Sequence, residues 1–277
     1  MMCRFDTHPH YRYTWFKEDI AEESMEEAPN PTNVGQVNDF AGRTCLRTPW
    51  TKRDIFWAVV LGTLALLGLL MLMLLGLQLY QYATGTQWSP RLPGILVLVA
   101  ELGLLLPVWL LGVHKYRLPW ASVGFKSFDL SRGLGLGCLF FLVAFAFNFA
   151  WSIILALLHL RAQPDILPLF GGGIAGLLLA LLVGALVAPI AEEAFFRGYL
   201  FAGLCQHVGF RRAIVLSAML FALVHILPTS WPPIFLLGVL FALLYEQTGS
   251  IWPAVIVHGA INAIAFLVLY FMPVAGG

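Results

Sequence analysis

Ala191-Glu192-Glu193-Ala194-Phe195-Phe196-Arg197 interrupts a run of sequence that is otherwise composed for lipid. On insertion scales an ionisable side chain at the middle of a bilayer costs roughly 2.5–3.5 kcal/mol. Two adjacent carboxylates and a guanidinium therefore need partners inside the protein or a watered cavity. From residue 172 to residue 277 the only other Asp, Glu, Lys or Arg residues are Arg211, Arg212 and Glu246. The same stretch carries His225 and His258, each with a polar or aromatic residue one helical turn away. Polar chemistry this concentrated reads as an intramembrane active site.

The rest of the chain agrees with a membrane setting. It is 60% hydrophobic and 11% charged, against about 25% charged for a soluble domain. Residues 55–82, 92–113 and 134–160 each supply the run of about 20 apolar residues that a membrane helix needs. The net charge is +1, and no basic cluster with interleaved aromatics appears, which argues against a nucleic-acid partner. The expected fold is all-α: a polytopic bundle of about seven or eight transmembrane helices enclosing a polar intramembrane cavity.

Three parts are expected. Residues 1–54 are polar, with an acidic run between residues 18 and 27 and Pro29 and Pro31 as breakers, and read as a largely disordered tail. They lack the apolar core of a cleavable signal peptide, so the helix beginning near Ile55 would act as the anchor; translation from Met25 is an alternative start. Residues 55–170 hold three spans, and residues 171–277 hold the polar motifs. Arg43, Arg47, Lys52 and Arg53 precede the first span, and Lys115, Arg117, Lys126 and Arg132 follow the second. By the positive-inside rule the N-terminus is cytoplasmic, in the plasma membrane or the inner membrane of a bacterium. Cys3, Cys45, Cys138 and Cys205 have neither disulfide-framework nor zinc-ribbon spacing, and Cys138 and Cys205 read as buried small apolar residues.

Beyond Gly171 the pattern divides less cleanly. Residues 172–190 are apolar, and Pro189 is expected to kink or break a helix just before the carboxylates. Residues 191–207 then form either a separate short span or a continuation. The next helix starts at Arg211 and Arg212 and is stopped by Pro228, Pro232 and Pro233. A following helix ends at Thr248-Gly249, and Ser250 is placed to cap the last one. Glu101, in the second span, is the remaining intramembrane acid, and its neighbours suggest no task for it.

Glu193 and Arg197 are four residues apart and share a helix face, whereas Glu192 points about 100° away, with a like-charged neighbour and Phe195 and Phe196 around it. Two titratable groups in such different surroundings are a pattern of acid/base sites. Glu192 is the better general base and Glu193–Arg197 the brace; an ion network that merely holds helices together is the competing reading. Phe221 lies one turn before His225, and His258 one turn before Asn262. His258 and Asn262 are two hydrogen-bond donors suited to an oxyanion, or else a polar clasp between helices.

Glu-Glu-x-x-x-Arg, Phe-x-x-x-His and His-x-x-x-Asn follow one another on successive helices, with Phe196-Arg197-Gly198 after the first and Tyr245-Glu-Gln-Thr-Gly-Ser-Ile-Trp-Pro before the last. This resembles the CAAX-protease and bacteriocin-processing (CPBP, or Abi) family of intramembrane proteases. The resemblance implies that Glu192 and His225 activate a water that attacks a peptide carbonyl, with His258 and Asn262 holding the oxyanion and Glu193, Arg197 and Phe221 supporting the site. It implies a membrane-associated peptide or protein as substrate and the lipid bilayer as surroundings. The family is often labelled metalloprotease. No His-Glu-x-x-His motif is present, but Glu192, His225 and His258 could supply an open site for zinc or another divalent metal. The metal-free glutamate mechanism is preferred. A non-catalytic immunity or regulatory factor of the same fold is the alternative function. A transporter or proton relay is disfavoured, because the polar residues have no counterpart in the N-terminal half.

Overall fold

A computed structural model describes residues 37–38, 44–45, 48–86, 89, 91–160, 166–225 and 227–272. Cys3, Met25 and most of the predicted tail lie outside the described residues. The architecture is all-α. Among the described residues, seven helices run through Lys52–Thr84 (α1), Leu92–His114 (α2), Leu130–Leu157 (α3), Gly173–Val208 (α4), Phe210–Leu223 (α5), Pro228–Thr248 (α6) and Trp252–Phe271 (α7). Six of them, all but α5, are long and apolar enough to cross a membrane. The strand pair among the described residues, Val37–Asn38 with Thr44–Cys45, is antiparallel and two residues long on each side. Leu72, Tyr82, Phe145, Phe149 and Leu157 are exposed on the helix surfaces, where hydrocarbon rather than water is the solvent. The chain is an integral membrane protein.

Local chemistry sets the helix ends. Thr51 and Asp54 form a reciprocal capping box at the start of α1, satisfying backbone donors that a helix leaves open. The same Asp54 carboxylate accepts hydrogen bonds from Lys115 Nζ and Tyr116 Oη, both at 2.5 Å, and so ties the entry of α1 to the exit of α2. Asp129 caps α3 by accepting from the Arg132 N–H at 2.8 Å. At the end of α6, Gly249 adopts φ +66° and donates to the Tyr245 carbonyl at 2.7 Å; only glycine takes this left-handed stop without strain. Ile251, not Ser250, occupies the cap position of α7. Ser250 still accepts from the Trp252 N–H at 3.3 Å, and its hydroxyl donates to the Lys126 carbonyl at 2.7 Å.

Of the two alternatives at Pro189, the structure takes the continuation: α4 runs unbroken from Gly173 to Val208. Its turns widen to π geometry at Leu181–Val187, just before the proline, and again at Ala194–Phe201. Widened turns redistribute the hydrogen bonds that proline disrupts.

A correction concerns the segment before α1, which composition assigns to the tail. Cys45 and Trp50 are buried in the main core. Trp50 stacks on Tyr199 with ring centroids 4.8 Å apart, and its indole N–H donates to the Tyr199 carbonyl. Gln206 receives the Thr48 N–H and donates to the Trp50 carbonyl. Cys45 is disulfide-bonded to Cys205, a pairing across 160 residues that no local spacing announces. Cys138 is exposed on α3 rather than buried, where its neighbour is lipid.

At 14 residues, α5 rises about 21 Å, less than the roughly 30 Å hydrocarbon thickness. The chain therefore leaves helical geometry near His225, before a full crossing. Irregular backbone at membrane depth must find partners within the protein. The Trp231 indole donates to the His225 carbonyl at 2.6 Å, and the Trp151 indole donates to the Thr229 carbonyl at 2.7 Å.

Candidate active site

Helix α4 carries both carboxylates near its midpoint and brings α7 alongside. Pro189 has no N–H for the carbonyls of Gly184 and Ala185, which lie five and four residues before it. Helix α7 makes use of both. Asn262 Nδ2 donates to the Gly184 carbonyl at 2.8 Å, and the Ala185 carbonyl packs so closely on Gly259 that a Cβ there would collide with it. The proline that reads as a breaker thus frees the acceptors that seat α7 and its histidine. Gly259→Val should force the helices apart, at an overpacking cost of about 1–3 kcal/mol. Lowered thermal stability in detergent would record it, while an unchanged melting temperature would refute the close contact.

The seated His258 is buried between aromatic rings. Phe241 stacks on it with centroids 5.2 Å apart, and Phe221 meets it edge-on at 6.0 Å. Its Nδ1 lies 3.0 Å from Glu193 Oε1. An ionised carboxylate only accepts, so Nδ1 carries the hydrogen and Nε2 is directed toward Glu192 Oε2, 3.8 Å away. As the neutral imidazole Nε2 is an acceptor; as the imidazolium it is a donor aimed beside Glu192.

Glu193 Oε1 also receives Arg197 Nη1 at 2.9 Å, with the Arg197 side chain 1% exposed and that of Glu193 0%. The guanidinium lies 4.2 Å from the Phe221 ring centre and 5.1 Å from that of Phe241, where the negative faces of aromatic rings attract it. Its Nη2 reaches the Gly238 carbonyl at 3.4 Å. Glu193 therefore sits between Arg197 and His258, and its position fixes both.

Phe221 connects the third helix. Its ring contacts Phe196, His225 and His258, so the side chain one turn before His225 is the hub of the cluster. His225 Nδ1 is 2.8 Å from the Phe221 carbonyl. A carbonyl only accepts, which places the hydrogen on Nδ1 and leaves Nε2 as a free lone pair. Such a nitrogen can accept a hydrogen from a water.

The structure gathers Glu192, Glu193, Arg197, Phe221, His225 and His258 into one cluster on α4, on α5 with the residues just after it, and on α7. Asn262 lies one turn along α7, its amide committed to Gly184. Residues not singled out in the sequence also take part: Phe241 under the His258 ring, and the carbonyls of Gly184 and Gly238. Among the described residues, no three His, Cys, Asp or Glu side chains are grouped so as to hold a metal ion. Glu192, His225 and His258 do not form a ready ligand set in this arrangement.

Comparison with known proteins falls on this region. Residues 174–264 match the family model described as "Type II CAAX prenyl endopeptidase Rce1-like". The chain is 32% identical over 90 residues to a Bacillus subtilis (strain 168) protein named "Putative membrane peptidase YdiL"; the match covers 30% of this chain and 34% of that protein. This chain thus spans about a third of the length of the curated relative it matches. No solved structure matches. The matched segment begins at the second residue of α4 and ends within α7, enclosing all three motifs. Over that segment, about a third of its length, the chain is similar to the Rce1-like type II CAAX prenyl endopeptidases.

Proposed function

We propose that the protein is an intramembrane endopeptidase that hydrolyses a peptide bond of a membrane-associated substrate with a glutamate-activated water. The observation that carries this reading is His258, held by Glu193 through Nδ1 and facing Glu192 through Nε2. A general base and a group able to bear an oxyanion then lie side by side, within a cluster screened from bulk water.

In this reading Glu192 takes a proton from water as the water oxygen bonds to the peptide carbonyl carbon. The Nε2 lone pair of His225 accepts the water's other hydrogen and orients the attack. The developing oxyanion is held by the His258 imidazolium and by the second N–H of the Asn262 amide. Glu192 then passes its proton to the leaving nitrogen as the C–N bond breaks, and is restored as a carboxylate. Zinc or another divalent metal at Glu192, His225 and His258 is the alternative; each imidazole would offer Nε2, with Nδ1 held by the Phe221 carbonyl in His225 and by Glu193 in His258. The distribution of Lys and Arg supports a cytoplasmic N-terminus. The Cys45–Cys205 disulfide weighs against it, because disulfides persist in oxidising compartments.

Three experiments test the proposal. New protein ends are mapped by proteomics in cells carrying the wild-type protein or Glu192→Ala; the expected result is a set of ends present only with the wild type. An identical set in both strains defeats the proposal. With a substrate in hand, Asn262→Ala should lower kcat by about 10²–10³ with KM little changed, as for a contact made mainly in the transition state. A normal kcat with a raised KM would make Asn262 a substrate contact. Activity that disappears on exhaustive chelation, and returns with zinc, would move the mechanism to the metal.

A further inference from the structure

His225 lies just past Leu223, the last residue of α5, and the end of that helix is assembled around it. The His225 N–H donates to the Ala222 carbonyl, three residues back, at 3.1 Å. This is the tightened bond with which helices often finish. The Phe221 carbonyl, four residues back, receives the imidazole Nδ1–H at 2.8 Å. The side chain of His225 thus takes an acceptor that a backbone N–H would use in a continuing helix. That seat holds only while the backbone at residue 225 keeps its tightened turn, and rotation there would swing the His225 carbonyl and the imidazole together.

The His225 carbonyl is pinned. It receives the indole N–H of Trp231 at 2.6 Å. Indole has one donor and no acceptor, so this bond engages all the polarity that Trp231 has. A tryptophan serving as an interfacial anchor turns its N–H toward lipid headgroups; this one turns it back onto the chain. Its mounting is stiff. The side chain packs against the main core. Pro232 and Pro233 follow in the first turn of α6, where their fixed φ suits the helix and their missing N–H groups are not needed. The Trp151 indole on α3 holds the same connecting segment at the Thr229 carbonyl, at 2.7 Å. Of these two indole bonds, that of Trp231 falls on a residue of the candidate site.

We propose that Trp231 is a positioning residue: its indole N–H pins the His225 carbonyl, and through it the direction of the imidazole that meets the attacking water. The consequence for turnover rests on the peptidase reading above; the pinning of His225 does not. Trp231 acts through His225 and takes no part in the transfer of protons.

The test uses the full-length protein in lipid nanodiscs and two replacements at residue 231. Benzothienylalanine keeps the outline of tryptophan and puts sulfur in place of the N–H, whereas Trp231→Phe removes the N–H and part of the ring. His225-Ile226 is the one His-Ile pair in the sequence. Histidine labelled at its carbonyl carbon and isoleucine labelled at nitrogen therefore isolate the His225 carbonyl by nuclear magnetic resonance. That resonance should move with either replacement. The ring nitrogens of His225, assigned by their loss in His225→Ala, should move with it. In cleavage assays both replacements should lower kcat by about 10²-fold at little-changed KM, the scale of a reacting group misplaced by an ångström. Trp151→Phe, which breaks the neighbouring indole bond but not the one on His225, should stay near wild type. Unmoved His225 resonances in the sulfur isostere, or wild-type kcat in it, overturn the proposal. An equal loss of kcat in Trp151→Phe also overturns it, by making the two indoles a general staple of the segment. Absence of cleavage in every preparation, wild type included, would count against the peptidase reading, and the resonances would still decide the pinning.

Discussion

Glu192→Gln is expected to abolish cleavage while the protein folds normally. Glutamine keeps the shape of the side chain and removes only its capacity to take a proton. A positioned general base contributes about 10²–10⁴ in rate, and loss of that order should appear in kcat. The fold should tolerate the change because Glu192 Oε2 has no hydrogen-bond partner to lose. Cleavage assays and thermal unfolding on the same preparation check both halves. Activity near wild type, or a melting temperature lowered as far as in the brace variants, would remove Glu192 from the role of base.

Breaking the brace should have the opposite signature. Glu193 is fully buried between Arg197 and His258, so Glu193→Gln leaves the Arg197 guanidinium without its carboxylate. Arg197→Ala leaves a buried carboxylate and empties the space between Phe221 and Phe241. Removing one partner of a buried pair costs about 3–5 kcal/mol, enough to lower folded yield before any assay is run. Because the two residues share one interaction, the double variant Glu193→Gln/Arg197→Met should lose less than the sum of the single losses. Wild-type stability in both single variants would refute the assignment.

How far this arrangement can be read from residues alone depends on whether the signal is local. Spacing of four along a helix puts Glu193 within reach of Arg197, and spacing of four likewise brings Phe221 to His225; both contacts exist at 2.9 Å and at a ring separation of 5.1 Å. The spans are equally legible, because about 20 apolar residues in sequence leave few alternatives. Three features are not local. The continuity of α4 through Pro189 depends on turns that widen and on a second helix that takes the freed carbonyls. The pairing of Cys45 with Cys205 depends on where a distant segment docks. Glu101 carries no motif, and the packing of its helix on α4 comes only with the tertiary fold.

That docking also has a consequence for how the protein is made. Cys45 and Trp50 are synthesised before any span, yet their partners Tyr199, Cys205 and Gln206 are at the far end of α4. Ribosomes add about 5–20 residues per second, so the leading segment waits on the order of ten seconds while α1, α2 and α3 enter the bilayer. Its binding surface does not exist until α4 has followed them. Residues made before any span are thus among the last to find their place, and their docking marks the point at which the helix that carries both carboxylates is complete.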